Sequence, residues 1–299
     1  MPGWSVDNLY LYGHKWLKMN INSICVCGAG TMGSGIAQAA AQSGIYTLLY
    51  DPIPAALEKA KEAIEKNLQS LSEKGKINAA EKTKILQRIL FTDDLQVCQA
   101  DIFIEAIIED LEIKTGLFNQ LAKLNHSESV FATNTSSLSV TKIAAGVINP
   151  QRIIGMHFFN PATIMKLVEV VNTDHTNEQT TKMVMELVKV MGKTPVLCKD
   201  SPGFIVNRVA RPYYIESLRL AEEGISSFEQ TDELLEATGF KMGPFKLMDL
   251  IGNDVNYAVS CSVYEQLNEP DRLRPSSIQQ QKVKDGKLGK KSGEGYYRY

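Results

Sequence analysis

The stretch Gly28-Ala29-Gly30-Thr31-Met32-Gly33 constrains the fold of this chain more than any other. It follows directly on residues 21–27, an apolar run that reads as a strand, and leads into residues 34–43, rich in Ala and Gln, which read as a helix. A second strand, Tyr46–Tyr50, ends at Asp51. Strand, glycine turn, helix, strand and acid within about 30 residues is the setting in which a G-x-G-x-x-G turn holds a dinucleotide. Gly28 permits the tight turn, Gly30 lets backbone approach a pyrophosphate, and Gly33 lets helix and strand pack closely. The helix N-terminus adds unpaired N–H groups and a partial positive charge. Asp51 can accept from both ribose hydroxyls and repels a 2′-phosphate, and Pro52, Ile53 and Pro54 after it bring no cation. The expected cofactor is NAD rather than NADP.

Further along, Leu57, Ala60, Ile64, Leu68 and Leu71 recur at helical spacing, and residues 79–90 read as a second, shorter helix. Strands are expected over residues 100–107, 129–133, Ile153–Phe158 and 167–171, with a helix over Leu111–Leu124. This alternation predicts an α/β protein with a parallel, doubly wound, Rossmann-type sheet. After Gly203 only helical periods remain, over residues 204–223, 227–238, 251–267 and 276–284. The expected organisation is an NAD-binding domain over residues 20–200 and an all-helical C-terminal domain over 201–299. Residues 1–19 precede the first strand and read as an extension, with neither the apolar run of a secretory signal nor the arginines of a transit peptide.

In open sheets ligands sit beyond the carboxyl ends of parallel strands. Asn134–Ser137, His157–Asn160 and the nearby Glu169 are the polar groups expected there. Oxidising an alcohol requires a base, and histidine suits that role near neutral pH. Glu169 interrupts an apolar strand, where a carboxylate is costly unless paired. A hydrogen bond from one imidazole nitrogen of His157 would explain it; a structural histidine and a separately paired Glu169 fit the same spacing. Ser136 reads either as a substrate contact or as a helix cap, and Asn207 either as a substrate contact or as a surface amide. Cys25, Cys27 and Met32 read as packing residues.

With 32 basic and 34 acidic side chains the chain offers no field for nucleic acid or an anionic membrane, and no run approaches the roughly 18 apolar residues of a span. The five cysteines form no C-x-x-C pair and the four histidines are scattered, so neither a disulfide framework nor a metal site is expected and a cytoplasmic setting is.

Taken in order, Gly28-Ala-Gly-Thr-Met-Gly-Ser-Gly-Ile-Ala37, Glu105-Ala-Ile-Ile-Glu109, Thr133-Asn-Thr-Ser-Ser-Leu138, Gly155-Met-His-Phe-Phe-Asn-Pro161, Met165-Lys-Leu-Val-Glu-Val-Val171, Asp200-Ser-Pro-Gly-Phe-Ile-Val-Asn-Arg208, Met242-Gly-Pro-Phe245 and Gly289-Lys-Lys-Ser-Gly-Glu-Gly295 resemble one family. The chain, over about residues 21–299, is similar to the L-3-hydroxyacyl-CoA dehydrogenases in their short, single-function form. The resemblance implies His157 as catalytic base with Glu169 as its partner, and Ser136 and Asn207 on the substrate's 3-oxygen and thioester end. It implies NAD contacts from Gly28, Ala29, Gly30, Thr31, Met32, Gly33, Asp51, Glu109, Lys114, Asn134 and Lys291. Lys74 matches a contact to the CoA phosphate, and Asn67 stands where the family has a serine for CoA.

The implied substrate is an acyl-CoA, of 3-hydroxybutyryl or 3-hydroxyadipyl type, in fatty-acid oxidation, butanoate synthesis or aromatic-acid catabolism. The implied assembly is a homodimer through the helical domain. A crystallin-like sugar-acid dehydrogenase is the alternative of the same architecture. Lys241 before Met-Gly-Pro and the run Gly252-Asn-Asp-Val-Asn256 depart from the family pattern, both in the helical domain.

Overall fold

The computed structural model describes residue 21 and residues 23–299; the expected extension, 1–19, lies outside the described residues. Eight strands form one sheet: β1 (Ser23–Cys27), β2 (Tyr46–Tyr50), β3 (Ile89–Thr92), β4 (Ile102–Glu105), β5 (Val130–Thr133), β6 (Ile153–Phe158), β7 (Leu167–Asn172) and β8 (Thr194–Lys199). Their order is 3-2-1-4-5-6-7-8, and β1 through β6 are parallel. The chain reverses direction at β1, between β2 on one side and β4 on the other, which opens the crevice where such sheets bind ligands.

Alternation along β1 divides the core. Ile24 and Val26 join Ile104 and Met156 under α1 (Thr31–Gln42), α2 (Pro54–Glu73) and α6 (Glu178–Val190). Cys25 and Cys27 face the other way, with Phe103 and Phe131, beneath α4 (Leu111–Leu124) and α5 (Val140–Ala145). All five cysteines are free thiols, and Met32 packs against the first of these layers. In α2, Leu57, Ala60, Ile64 and Leu68 are the buried stripe, and Pro54 starts the helix where its missing N–H costs nothing.

Beyond β8 the regular elements are α7 (Val206–Glu222), α8 (Phe228–Ala237), α9 (Pro244–Ile251), α10 (Asn253–Gln266) and α11 (Ser277–Lys284). Tyr214, Leu218, Phe245, Met248 and Tyr296 form their largest apolar cluster.

The structure corrects the sequence reading in several places. The sheet is not wholly parallel, because β7 runs antiparallel to β6 and carries β8 with it. The helix expected over residues 79–90 is α3 (Ala79–Gln87), and its last residues belong to β3. The strand β8 was not expected at all. It lies on an edge with largely exposed side chains and contains Pro195, which an edge strand tolerates. The helix expected over 251–267 is α10, starting two residues later at Asn253; before it lies α9, which the helical periods do not include, and Gly252, whose φ of 105° lies where non-glycine residues rarely go, separates the two. The first helix starts at Thr31, three residues earlier than expected, directly on Gly30.

Candidate active site

The turn after β1 is shaped by what its glycines lack. Gly28 has φ 105°, and a Cβ there would stand 2.6 Å from the Ala106 carbonyl oxygen at the end of β4. A Cβ on Gly33 would fall 1.7 Å from the Gly28 carbonyl oxygen, so α1 and β1 can approach only without it. A Cβ on Gly30, by contrast, would meet nothing within 4 Å. The first turn of α1 has neither a side-chain cap nor an acidic residue. Asp51 is fixed by two backbone donors, Ala29 N–H at 2.8 Å and Ile53 N–H at 2.9 Å, one to each carboxylate oxygen. Each oxygen retains acceptor capacity. Open space at Gly30, uncapped amides behind it and an anchored carboxylate at the second strand fit an NAD molecule.

Across the crevice, β4 ends in Glu105, which is fully buried. It accepts from Thr133 Oγ1 (2.7 Å), Ile107 N–H (2.8 Å) and the ammonium of Lys114. Lys114, 1% exposed, also pairs with Glu109 at 3.1 Å. Glu109 then gathers the loop after β5: it accepts from Thr135 Oγ1, from the Ser137 hydroxyl at 2.9 Å, and from the Ser136 and Ser137 amides at 3.3 Å. Burial pushes the Glu105 carboxyl up against the pull of Lys114. For Glu109 burial also pushes upward, but the Lys114 charge and the Thr135 and Ser137 hydroxyls outweigh it and hold this carboxyl below its usual value. Removing the shared cation leaves Glu105 buried without a counter-ion, held only by the Thr133 hydroxyl and the Ile107 amide. Lys114→Met is therefore expected to lower unfolding free energy by about 3–5 kcal/mol, read by urea denaturation; a change under about 1 kcal/mol would contradict this account.

The His157–Glu169 pair results from strand direction. Because β7 returns antiparallel to β6, Glu169 lies opposite His157 in register. His157 Nδ1 and Glu169 Oε2 are 2.7 Å apart, with both side chains buried. The other carboxylate oxygen, Oε1, accepts from the amides of Ile205 (2.9 Å) and Val206 (2.8 Å) at the start of α7. Burial pushes this carboxyl up, but the imidazole and the two amides prevail and hold it below its usual value. An ionised Glu169 takes a proton-bearing Nδ1 as its donor, which leaves Nε2 as an acceptor. The imidazole ring is held between Phe159 (centroids 4.6 Å apart) and Phe204 (5.6 Å), the latter at φ 46°.

The remaining expected residues fall into two groups. Asn134 joins the loop after β5 to His157's strand, accepting from Phe158 N–H at 2.9 Å. Ser136 is not the helix cap: Ser139 caps α5, accepting from Lys142 N–H at 3.2 Å. Half-buried Asn207 follows Val206 directly, so it stands beside the carboxylate that holds His157. Lys74 and Asn67 lie apart from this cluster on α2 and its C-cap, two turns from each other and hence on one face, with Asn67 Oδ1 accepting from Gln38 Nε2 at 3.1 Å. Lys291 is paired with Asp254 at 2.6 Å, and no contact among the described residues joins it to the glycine turn.

Sequence reasoning gives Glu105, Thr135 and Asp200 no role of their own and places them only within longer segments. Asp200 accepts from the Ser139 hydroxyl (2.7 Å) and Thr141 N–H (2.8 Å) and so ties α5 to the segment entering α7. A glutamate in an apolar strand was the available signal for Glu105, the same that drew attention to Glu169.

Comparison with known proteins agrees with this geometry. Residues 23–201 match the family model of the 3-hydroxyacyl-CoA dehydrogenase NAD binding domain, and residues 203–299 that of the 3-hydroxyacyl-CoA dehydrogenase C-terminal domain. The chain is 46% identical over 283 residues to the 3-hydroxyadipyl-CoA dehydrogenase of Escherichia coli (strain K12), covering 94% of this chain and 60% of that longer protein. It is 42% identical over 276 residues to the probable 3-hydroxybutyryl-CoA dehydrogenase of Deinococcus radiodurans, covering 92% of this chain and 99% of that one. The solved structure of (S)-3-hydroxybutyryl-CoA dehydrogenase from Ralstonia eutropha superposes with a TM-score of 0.89 at 37% identity, covering 93% and 99% of the two chains. With the glycine turn, the anchored histidine and both halves of the chain matched, the protein belongs to the 3-hydroxyacyl-CoA dehydrogenase family.

Proposed function

We propose that this chain is an NAD-dependent dehydrogenase that interconverts (3S)-3-hydroxyacyl-CoA and 3-oxoacyl-CoA. The observation that carries the reading is the buried His157–Glu169 pair at 2.7 Å, at the mouth of a sheet whose first turn fits a dinucleotide. Bound NAD supplies the acceptor for hydride from C3. His157 Nε2 takes the C3 hydroxyl proton, and in reduction the imidazolium returns it. Glu169 fixes the tautomer and stabilises the imidazolium, and the α7 amides hold Glu169 in turn. Ser136 and Asn207 orient the 3-oxygen and the thioester, while the Glu109–Lys114 network supports the loop that carries Ser136 and faces the cofactor with Asn134. Gly28 to Gly33 hold the pyrophosphate of the dinucleotide and Asp51 its ribose hydroxyls.

Lys74, with Asn67 on the same face of α2, receives the CoA phosphate. In this reading Lys291 completes the cofactor site only by leaving Asp254. The sugar-acid alternative is not favoured, since the matched family models and these relatives are acyl-CoA dehydrogenases by name. Residues 20–200 form the cofactor domain, and 201–299 the substrate and dimer domain. An apolar cleft lined by Pro212, Tyr213, Leu220, Ile225, Leu234 and Leu235 supports a homodimer through the helices. Among the described residues no helix is long and apolar enough to cross a membrane, and the five free thiols support a cytoplasmic setting.

The reading is tested by loss of NADH absorbance with acetoacetyl-CoA, beside an NADPH control. Rapid turnover with NADH and little with NADPH is expected. No turnover with either would overturn it, and a preference for NADPH would overturn the role of Asp51.

A further inference from the structure

The loop after β5 carries Ser136, and its backbone is held from two sides. Every amide from Asn134 to Leu138 donates to a group of the sheet or its loops. Asn134 donates to the Glu105 carbonyl (2.8 Å), Thr135 to the Thr133 hydroxyl (3.3 Å) and Leu138 to the Thr135 hydroxyl (2.9 Å). The Ser136 and Ser137 amides both reach Glu109 Oε1 at 3.3 Å, the long end of hydrogen-bond distances. That oxygen also accepts from the Thr135 and Ser137 hydroxyls, so four donors share it. The sheet side thus takes all the amides of the loop, and its hold is weakest at Ser136 and Ser137.

The opposite hold comes from the helical domain. Gln266, the last residue of α10, donates from Nε2 to the Ser137 carbonyl at 2.8 Å. The same nitrogen donates to the Ser262 hydroxyl at 2.7 Å, one turn back on its own helix. Both hydrogens of the amide are then used, and the bond to Ser262 aims the other one at the loop. The helix beneath is itself fixed: Arg211 on α7 donates from Nη1 to the Asn256 carbonyl (2.9 Å) and the Ser260 hydroxyl (2.8 Å) of α10. Among the described residues, the Gln266–Ser137 bond is the one hydrogen bond that joins the elements after α7 to the sheet and its loops.

Ser136 lies next to the carbonyl so held, and Asn207 lies on the helix to which α10 is tied. Those two residues orient the 3-oxygen and the thioester, and they come from different halves of the chain. We propose that Gln266 is a positioning residue for the reaction: it holds the Ser137 carbonyl from the helical side and thereby sets where the Ser136 hydroxyl meets the substrate's 3-oxygen. The proposal rests on the dehydrogenase reading above. A donor to that oxygen matters most as charge develops on it, so a misplaced Ser136 lowers kcat more than it raises KM.

The test measures acetoacetyl-CoA reduction by NADH in wild type, Gln266→Met, Ser136→Ala and the double variant. Methionine keeps the length of glutamine without its donors, and the position is exposed, so the fold tolerates it. Gln266→Met is expected to lower kcat about 5-fold, the scale of one neutral hydrogen bond, with KM for either substrate changed by less than about 2-fold. In the Ser136→Ala background the same substitution should change kcat by less than about 2-fold, because the group it positions is gone. Gln266→Glu, which puts carboxylate oxygens against the Ser137 carbonyl, should lose at least as much as Gln266→Met. Equal losses in both backgrounds overturn the proposal, since a general disturbance of the helices acts whether or not Ser136 is present. Wild-type kcat in Gln266→Met overturns it too. Wild-type turnover in Ser136→Ala removes the role of Ser136, and this proposal with it, while hydride transfer to NAD stands. Absence of turnover in the wild-type protein removes the dehydrogenase reading itself.

Discussion

Replacing His157 by glutamine is expected to slow acetoacetyl-CoA reduction by about 10² to 10⁴ while NADH binding persists. Glutamine roughly matches the imidazole in size and keeps a polar end, but it cannot exchange a proton near neutral pH. Besides Glu169, which sits on the Nδ1 side of the ring and is tied to the amides of Ile205 and Val206, residue 157 is flanked by two aromatic rings, which supply no base. The dinucleotide turn lies on β1 and α1, which the substitution does not touch. Steady-state turnover and NADH fluorescence titration read the two effects separately. Near-normal turnover in His157→Gln would assign the proton to another group.

Glu169→Gln is expected to cost about 10³ in turnover, for a reason that can be traced atom by atom. Oε1 accepts from two backbone amides, Ile205 and Val206. A glutamine placed there must turn its carbonyl oxygen to those two donors, since its NH₂ would oppose them. The NH₂ then faces His157 Nδ1, which must lose its proton to accept. The imidazole is thereby left in the opposite tautomer, with Nε2 protonated and unable to take the substrate proton. The variant should also change acid stability. The Glu169 carboxyl is held below its usual value of 4.5 in the folded protein, so its contribution is fully present above the unfolded value and is lost as pH falls through the lower folded one. The stability difference between wild type and Glu169→Gln should therefore narrow toward acid pH in urea titrations. A difference that widens on acidification would contradict the pairing.

The unit from β1 through β2 could be read from sequence because every signal in it is local: glycines at fixed offsets, an apolar run on each side, and an acid where the second strand ends. The edge strands were not legible in the same way. Strand β8 exposes most of its side chains and contains Pro195, so no burial pattern distinguishes it from a loop, and β3 follows α3 with only Arg88 between them. His157 and Glu169 were each conspicuous, but their contact depends on β7 reversing direction, which a six-residue strand of mostly apolar residues does not specify. The same limit applies to Glu105, Lys114 and Glu109, whose network joins a strand end, a helix and the loop after a third element.

The measurement that tests the account most directly follows the label from (3S)-3-hydroxybutyryl-CoA carrying deuterium at C3, with NAD, in wild type and His157→Gln. The account predicts deuterium at C4 of the nicotinamide in the NADH formed by the wild-type protein, and formation slowed by at least about 10² in the variant. Deuterium released to water, or transfer by His157→Gln at the wild-type rate, would contradict it.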